Sequence, residues 1–169
     1  MSSPKTLVSA QPSGWLRLLL RLPIALYRVK LGWLLGQRFL LLEHVGRKSG
    51  QMRKTVVEVV GHDRTSDTYY IVSGWGKRAN WYQNLLATPK ITIRVGRRHL
   101  HVCAESVSPA EGVPVLLDYR QKHPLATREL SRMLVGANLA EATPQELENI
   151  VRESLPMVAL RPEAGNVAP

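Results

Sequence analysis

This 169-residue chain has a single cysteine and only thirteen acids against twenty-three Lys and Arg. With one thiol, Cys103, an intramolecular disulfide is excluded, and the chain fits a reducing compartment. Cys103 lies in a strand-like run, Leu100 to Ala104, where a buried structural thiol and a reactive one are both open readings. No Cys/His cluster has zinc-ligand spacing. His99 and His101 would share a strand face, but no third ligand is within sequence reach. No Ser-His-Asp, Cys-His or paired-carboxylate array stands out, and no repeat, long linker or second domain interrupts the chain.

The shortage of acids leaves a net charge of +10, which is unevenly placed. Through Lys54 there are ten Lys/Arg against Glu43 alone; beyond it, thirteen face twelve acids. Hydrophobic content of 44% and 21% charged residues are ordinary for one globular domain with a real core. The charge is concentrated on an apolar N-terminal stretch and one loop, not on an aromatic-studded sheet, which argues against a nucleic-acid partner.

Residues 1–38 read as a basic amphipathic helical segment. From Trp15 to Gly36 the chain is nearly all apolar, with Arg17, Arg21 and Arg28 on one helical stripe and Trp15, Leu18, Leu22, Leu26, Val29 and Trp33 opposite. Placing its charges in a bilayer centre would cost about 2.5–3.5 kcal/mol each, so a spanning helix is disfavoured. No small-residue cleavage site stands where a secretory signal needs one. Two readings remain: a helix packed on its own domain, and an anchor lying in an anionic membrane interface. Pro23 would kink or divide it. The location expected is cytoplasmic, with peripheral contact at the inner face of the cell membrane under the second reading.

Residues 39–161 hold the domain, and 162–169 read as a loose tail. Strands are expected at Phe39 to Val45, Thr55 to Val60, Tyr69 to Ser73, Ile91 to Gly96, Arg98 to Val107 and Met157 to Leu160. Ser108-Pro109-Ala110-Glu111 and Thr143-Pro144-Gln145-Glu146 each supply a capping hydroxyl, a first-turn proline and an acid, opening helices to about His123 and Leu155. Asn80 is a plausible N-cap for a short helix ended by Pro89. The fold class is mainly β with peripheral helices, a six-stranded antiparallel barrel.

The most informative segment is Gly46-Arg47-Lys48-Ser49-Gly50-Gln51-Met52-Arg53, the loop between the first two strands. Two glycines let the backbone turn with N–H groups exposed, and Arg47, Lys48 and Arg53 bring three cations, an arrangement suited to an anion. A second motif, Asn80-Trp81-Tyr82-Gln83-Asn84-Leu85, precedes Ala87-Thr88-Pro89-Lys90 and the strand from Ile91. Trp75, Trp81 and Tyr82 could wall a flat ring or belong to the core, and Ser73 could donate to a ligand or simply end its strand.

Together the two motifs resemble the deazaflavin (F420)-dependent nitroreductase and F420H2-dependent quinone reductase family, from about Phe39 to His101. The resemblance implies a split β-barrel of the FMN-binding split-barrel type and F420 as cofactor, with FMN as the alternative. It implies that Arg47, Lys48, Ser49, Gly50, Gln51 and Arg53 hold the cofactor's phosphate and acidic tail, that Val72, Ser73, Gly74 and Trp75 lie beside the deazaflavin ring, and that Asn80, Trp81 and Asn84 close the pocket. The activity implied is hydride delivery from reduced F420 to a small electrophile, a quinone or nitro compound, by a protein that often pairs as a homodimer. For such a transfer the cofactor carries the reactive carbon and the protein supplies binding and orientation. The alternative is a non-catalytic FMN- or tetrapyrrole-binding protein of the same barrel shape. Relatives in one branch use a tyrosine after the last hairpin; here His123 to Arg128 has none, and Tyr119 is the one nearby substitute.

Overall fold

The computed structural model describes residues 37–132 and 138–163. Six strands form one antiparallel barrel, β1 (Phe39–Val45), β2 (Met52–Asp63), β3 (Thr68–Val72), β4 (Lys90–Val95), β5 (Arg98–Ser106) and β6 (Met157–Pro162), in the closed order β1-β2-β3-β6-β5-β4. Among the described residues four α-helices accompany it: α1 (Asn80–Ala87), α2 (Pro109–Lys122), α3 (Pro124–Arg132) and α4 (Pro144–Glu153). The mainly β architecture read from the sequence is therefore the one found. The N-terminal amphipathic segment lies outside the described residues except for Gln37 and Arg38.

Alternation decides which side chains fill the barrel. Leu40, Leu42, Val57, Val59, Tyr69, Ile71, Ile91, Ile93, Val95, Leu100, Val102, Val158 and Leu160 form one buried interior cluster. Trp81, Tyr82 and Leu85 of α1 join this cluster, so the short helix stoppers one mouth of the barrel. A second cluster lies outside the wall, where α2 and α4 pack on Val60, Tyr70, Met157 and Ala159. Ser108 and Thr143 cap α2 and α4 as their motifs predict, and Thr143 with Glu146 makes a reciprocal capping box.

β2 is longer than its apolar pattern. Met52–Lys54 pair with the end of β1 and Gly61–Asp63 with β3, so polar residues extend the strand at both ends. The register shifts between Val59 and Gly61, and a Cβ on Gly61 would lie 2.6 Å from Cγ1 of Val115, which is why the wall can pass so close to α2. β6 continues through Pro162, paired with Val102, into what had read as tail. Helix α3 was not expected, since the preceding helix was read only to about His123; Pro124 occupies its first helical position.

β1 and β3 run in the same direction, so the β1–β2 loop and the segment after β3 emerge at the same end of the barrel as α1. The opposite end is fastened by Arg98, which donates to both oxygens of Asp67 at 3.0 and 2.6 Å and to the Tyr69 hydroxyl at 3.1 Å.

Candidate functional site at the barrel mouth

The basic loop turns through Gly46 and Gly50. A Cβ on Gly46 would meet Ser49 Oγ at 2.8 Å, and Gly50 has φ +65°. Gly46 N–H donates to Gln51 O, Ser49 N–H and Gly50 N–H both donate to Gly46 O, and Gln51 N–H reaches Ser49 Oγ at 3.4 Å. The expectation that these N–H groups stand exposed to an anion is thus corrected: the turn spends them on itself. Of the loop's backbone donors from Gly46 to Gln51, Lys48 N–H makes none of these bonds, so contact with an anion here falls mainly to the side chains.

Those side chains carry charge without acid partners. The Arg47 guanidinium donates to two neutral amides, Asn80 Oδ1 at 3.2 Å and Asn84 Oδ1 at 3.1 Å. Arg53 donates to Gln51 Oε1 at 3.3 Å, and Lys48 is exposed with no ion pair among the described residues. Elsewhere Lys54, Arg94, Arg98 and Arg161 are each paired with a carboxylate. Cations left unneutralised at one end of a barrel suit an anionic ligand.

Arg47 ties the two sequence motifs together. Its backbone N–H also donates to Asn84 Oδ1 at 3.1 Å, so one amide oxygen on α1 holds both the loop's backbone and its first cation. Asn80 does not cap α1 as expected. The cap position is Ala79, without a side-chain hydrogen bond, and Asn80 begins the helix with its amide turned to Arg47.

Behind Asn84 lies a residue the sequence reading missed. Asn84 Nδ2 is 3.2 Å from His44 Nδ1, and His44 Nε2 is 3.2 Å from Thr55 Oγ1. Both Asn84 and His44 are buried. Burial pushes the His44 imidazole below its ordinary value; a hydrogen bond with the Val45 backbone opposes the shift and the positive charge of Arg53 adds to it. The signal for His44 was present in β1, where it follows Leu40 and Leu42 at inward-facing register.

The segment beyond β3 is a tight turn. Gly76, at φ +64°, donates its N–H to Ser73 O, Ser73 Oγ donates to Gly76 O at 2.8 Å, and Ser73 N–H donates to Pro156 O. Ser73 is fully buried and its hydroxyl proton is committed, so it is a turn-forming serine rather than a free donor. Gly74 is buried beside it, and Val72 packs against the helix cluster outside the wall, away from the mouth. Trp81 and Tyr82 meet edge to face within the interior core. Trp75, 40% exposed, is the ring left on the surface, and it shares this end with exposed Met52 and Leu86. Exposed Lys77 and Arg78 lie in the short turn just before α1, two further cations that the motifs did not single out.

Tyr119 belongs to the helix cluster outside the barrel wall, not to the basic mouth. It is buried between α2 and the wall and donates to Glu58 Oε1 at 2.9 Å; burial pushes its hydroxyl up, and the neighbouring carboxylate adds to this. The stretch His123 to Arg128 runs into α3 on that same helical side. His99 and His101 are exposed, and no cluster of three metal-ligating side chains occurs among the described residues.

A closed six-stranded antiparallel barrel, with a basic loop and a short stoppering helix at one mouth, defines a protein of the split-barrel class. A family model described as F420H(2)-dependent quinone reductase matches residues 20–124, and the chain belongs to that family. Two F420H(2)-dependent quinone reductases of Mycobacterium tuberculosis, from strains H37Rv and CDC 1551, are each 37% identical over 100 residues, covering 54% of this chain. The match spans 64% of the length of those relatives. Among solved structures, an F420-H2 dependent reductase (FDR-A) superposes with TM-score 0.51 at 18% identity, over 75% of this chain and 96% of that one. HutZ, a heme storage protein from Vibrio cholerae, superposes with TM-score 0.50 at 12% identity, over 82% and 90%. At such identities these two likenesses concern the fold alone.

Proposed function

We propose that this protein is an F420-dependent reductase that delivers hydride from the reduced deazaflavin to a small electrophile, a quinone in the first instance. The observation that carries the reading is the joint between Arg47 and the amides of Asn80 and Asn84, which fuses the family's two motifs into one unit at the barrel mouth. The residues there fit the cofactor's chemistry. Lys48 and Arg53 lack acid partners and suit a phosphate and a carboxylate tail; Trp75 offers an exposed apolar face.

In this reading Lys48, Ser49, Gln51 and Arg53 bind the anionic tail through side chains, while Gly46 and Gly50 set the loop's shape. Asn80 and Asn84 fix Arg47, and Trp81 anchors α1 through the core instead of touching the ring. Bound reduced F420 supplies the hydride; the protein orients it and keeps water from one face. FMN and a tetrapyrrole are placed behind F420 because the matched family is named for F420H(2). Titration of the purified protein with F420 and with FMN, followed by absorbance and fluorescence, tests this directly. Tighter binding of FMN, or no F420 binding, refutes it.

Two finer readings rest on sequence alone. Residues 1–35 would attach the protein to an anionic membrane surface, a location suited to a lipid-soluble quinone, and a pair of copies would form a homodimer. No helix among the described residues is long and apolar enough to cross a membrane. Sedimentation with anionic vesicles at low salt checks the first, and a protein that stays in solution sinks it. Light scattering checks the second.

A further inference from the structure

The chain Thr55–His44–Asn84–Arg47 has only one consistent hydrogen-bond assignment. The Arg47 backbone N–H is an obligatory donor, so the atom of Asn84 facing it at 3.1 Å is the amide oxygen. The Asn84 NH2 therefore faces His44 Nδ1, which must accept, and the imidazole hydrogen sits on Nε2, donating to Thr55 Oγ1. All four groups are satisfied only when His44 is neutral. A proton on Nδ1 would point at the Asn84 NH2, and turning that amide over would present the NH2 to Arg47.

Deepening the cofactor site proposed above, and resting on that reading for its functional meaning, we propose that neutral His44 is a positioning residue of the basic loop. Its Nδ1 holds the Asn84 amide in the one orientation that grips Arg47, so that protonation of His44 breaks both Asn84 bonds and leaves the Asn80 bond to tie the loop to α1. The charged groups facing His44 favour its neutral form. Arg53 stands directly opposite on β2, Arg47 lies beyond the shared Asn84, and α1 contributes only that neutral amide. Among the described residues no carboxylate is bonded to His44, and the Val45 backbone, which favours the imidazolium, is outweighed by burial and Arg53. An acidic interior would therefore loosen the cofactor's anion loop without altering any group that touches the anion.

The test uses the full-length protein in three forms: wild type, His44→Asn and His44→Leu. Asparagine places an acceptor oxygen near the position of Nδ1 but does not titrate; leucine offers no acceptor. Without any cofactor, imidazole 15N shifts report the His44 tautomer and its titration, and hydrogen exchange gives a protection factor for the Arg47 amide from pH 5 to 8. The same pH series then gives the F420 dissociation constant. The expected result is an Nε2–H tautomer in the wild type, with Arg47 protection falling as His44 titrates. F420 affinity should weaken in parallel by about threefold to tenfold, the size of one lost hydrogen bond. His44→Asn should be flat over that range, and His44→Leu unprotected throughout. An Nδ1–H tautomer, or the same pH dependence in wild type and His44→Asn, overturns the proposal. If the cofactor-free measurements follow expectation while F420 fails to bind, His44 keeps its positioning role and the proposed function is what fails.

Discussion

Asn84 Oδ1 accepts two hydrogen bonds from Arg47, one from the backbone N–H and one from the guanidinium, both at 3.1 Å. A buried helix residue thereby sets the position of a loop thirty-seven residues earlier in the chain. Asn84→Ala should remove both bonds and strand His44 Nδ1 in a buried position. The cost is about 1–3 kcal/mol. For a domain of this size that lowers Tm by roughly 2–4 °C per kcal/mol. Thermal unfolding measures it, and an unchanged Tm would mean the joint contributes nothing to the fold.

Lys48→Ala and Arg53→Ala should each weaken F420 binding about tenfold, the loss of one charge-assisted contact. Lys90→Ala, which removes a cation already paired with Glu163 at 3.2 Å, should leave it unchanged. Raising salt should weaken wild-type binding and narrow the gap to the two loop variants. Fluorescence titration gives all these constants, and equal affinities across the set would remove the loop from the binding site.

Tyr119→Phe should lower stability by about 1 kcal/mol through loss of the bond to Glu58. Its kcat/KM for a quinone and for a nitro compound should match the parent's, since the residue lies among the helices. A selective loss of turnover on one substrate at unchanged Tm would place Tyr119 near the chemistry after all.

Glu43 stands between Lys54 at 2.8 Å and Arg94 at 2.9 Å. Burial alone would raise its carboxyl, but the Lys54 contact and the charges of Arg94 and Lys54 outweigh it and hold the group below its ordinary 4.5. A depressed folded value means stability that is present above pH 4.5 and lost as pH falls through the folded value. Urea midpoints between pH 3 and 6 should show this decline in the wild type and a shallower one in Glu43→Gln; parallel curves would show that the carboxylate is not a source of acid lability.

The barrel was legible because its signals are local. Ile91, Ile93 and Val95 alternate with Thr92 and Arg94, and glycine or proline marks most strand ends. The β3 run was harder to read: apolar residues stand on both of its faces, so nothing in the sequence showed that Tyr69 and Ile71 point inward and Val72 outward. Capping rules likewise placed Asn80 at a helix start without seeing Arg47, thirty-three residues away. His44 was missed for a related reason. Its partner Asn84 is forty positions distant, and only the folding of α1 over the mouth brings them together.

Pairing of β1 with β4 has a consequence for encounters between chains. Leu40–Glu43 meet Thr92–Val95, so each of the six strands has a neighbour on both sides. A sheet without a free edge gives another polypeptide no ladder to extend, which removes strand addition and edge-driven fibril growth as routes of association. Among the described residues, two copies of this domain have no sheet edge through which to meet. Contact through the described surface then depends on shape and charge on the wall, the helix layer or the cationic mouth.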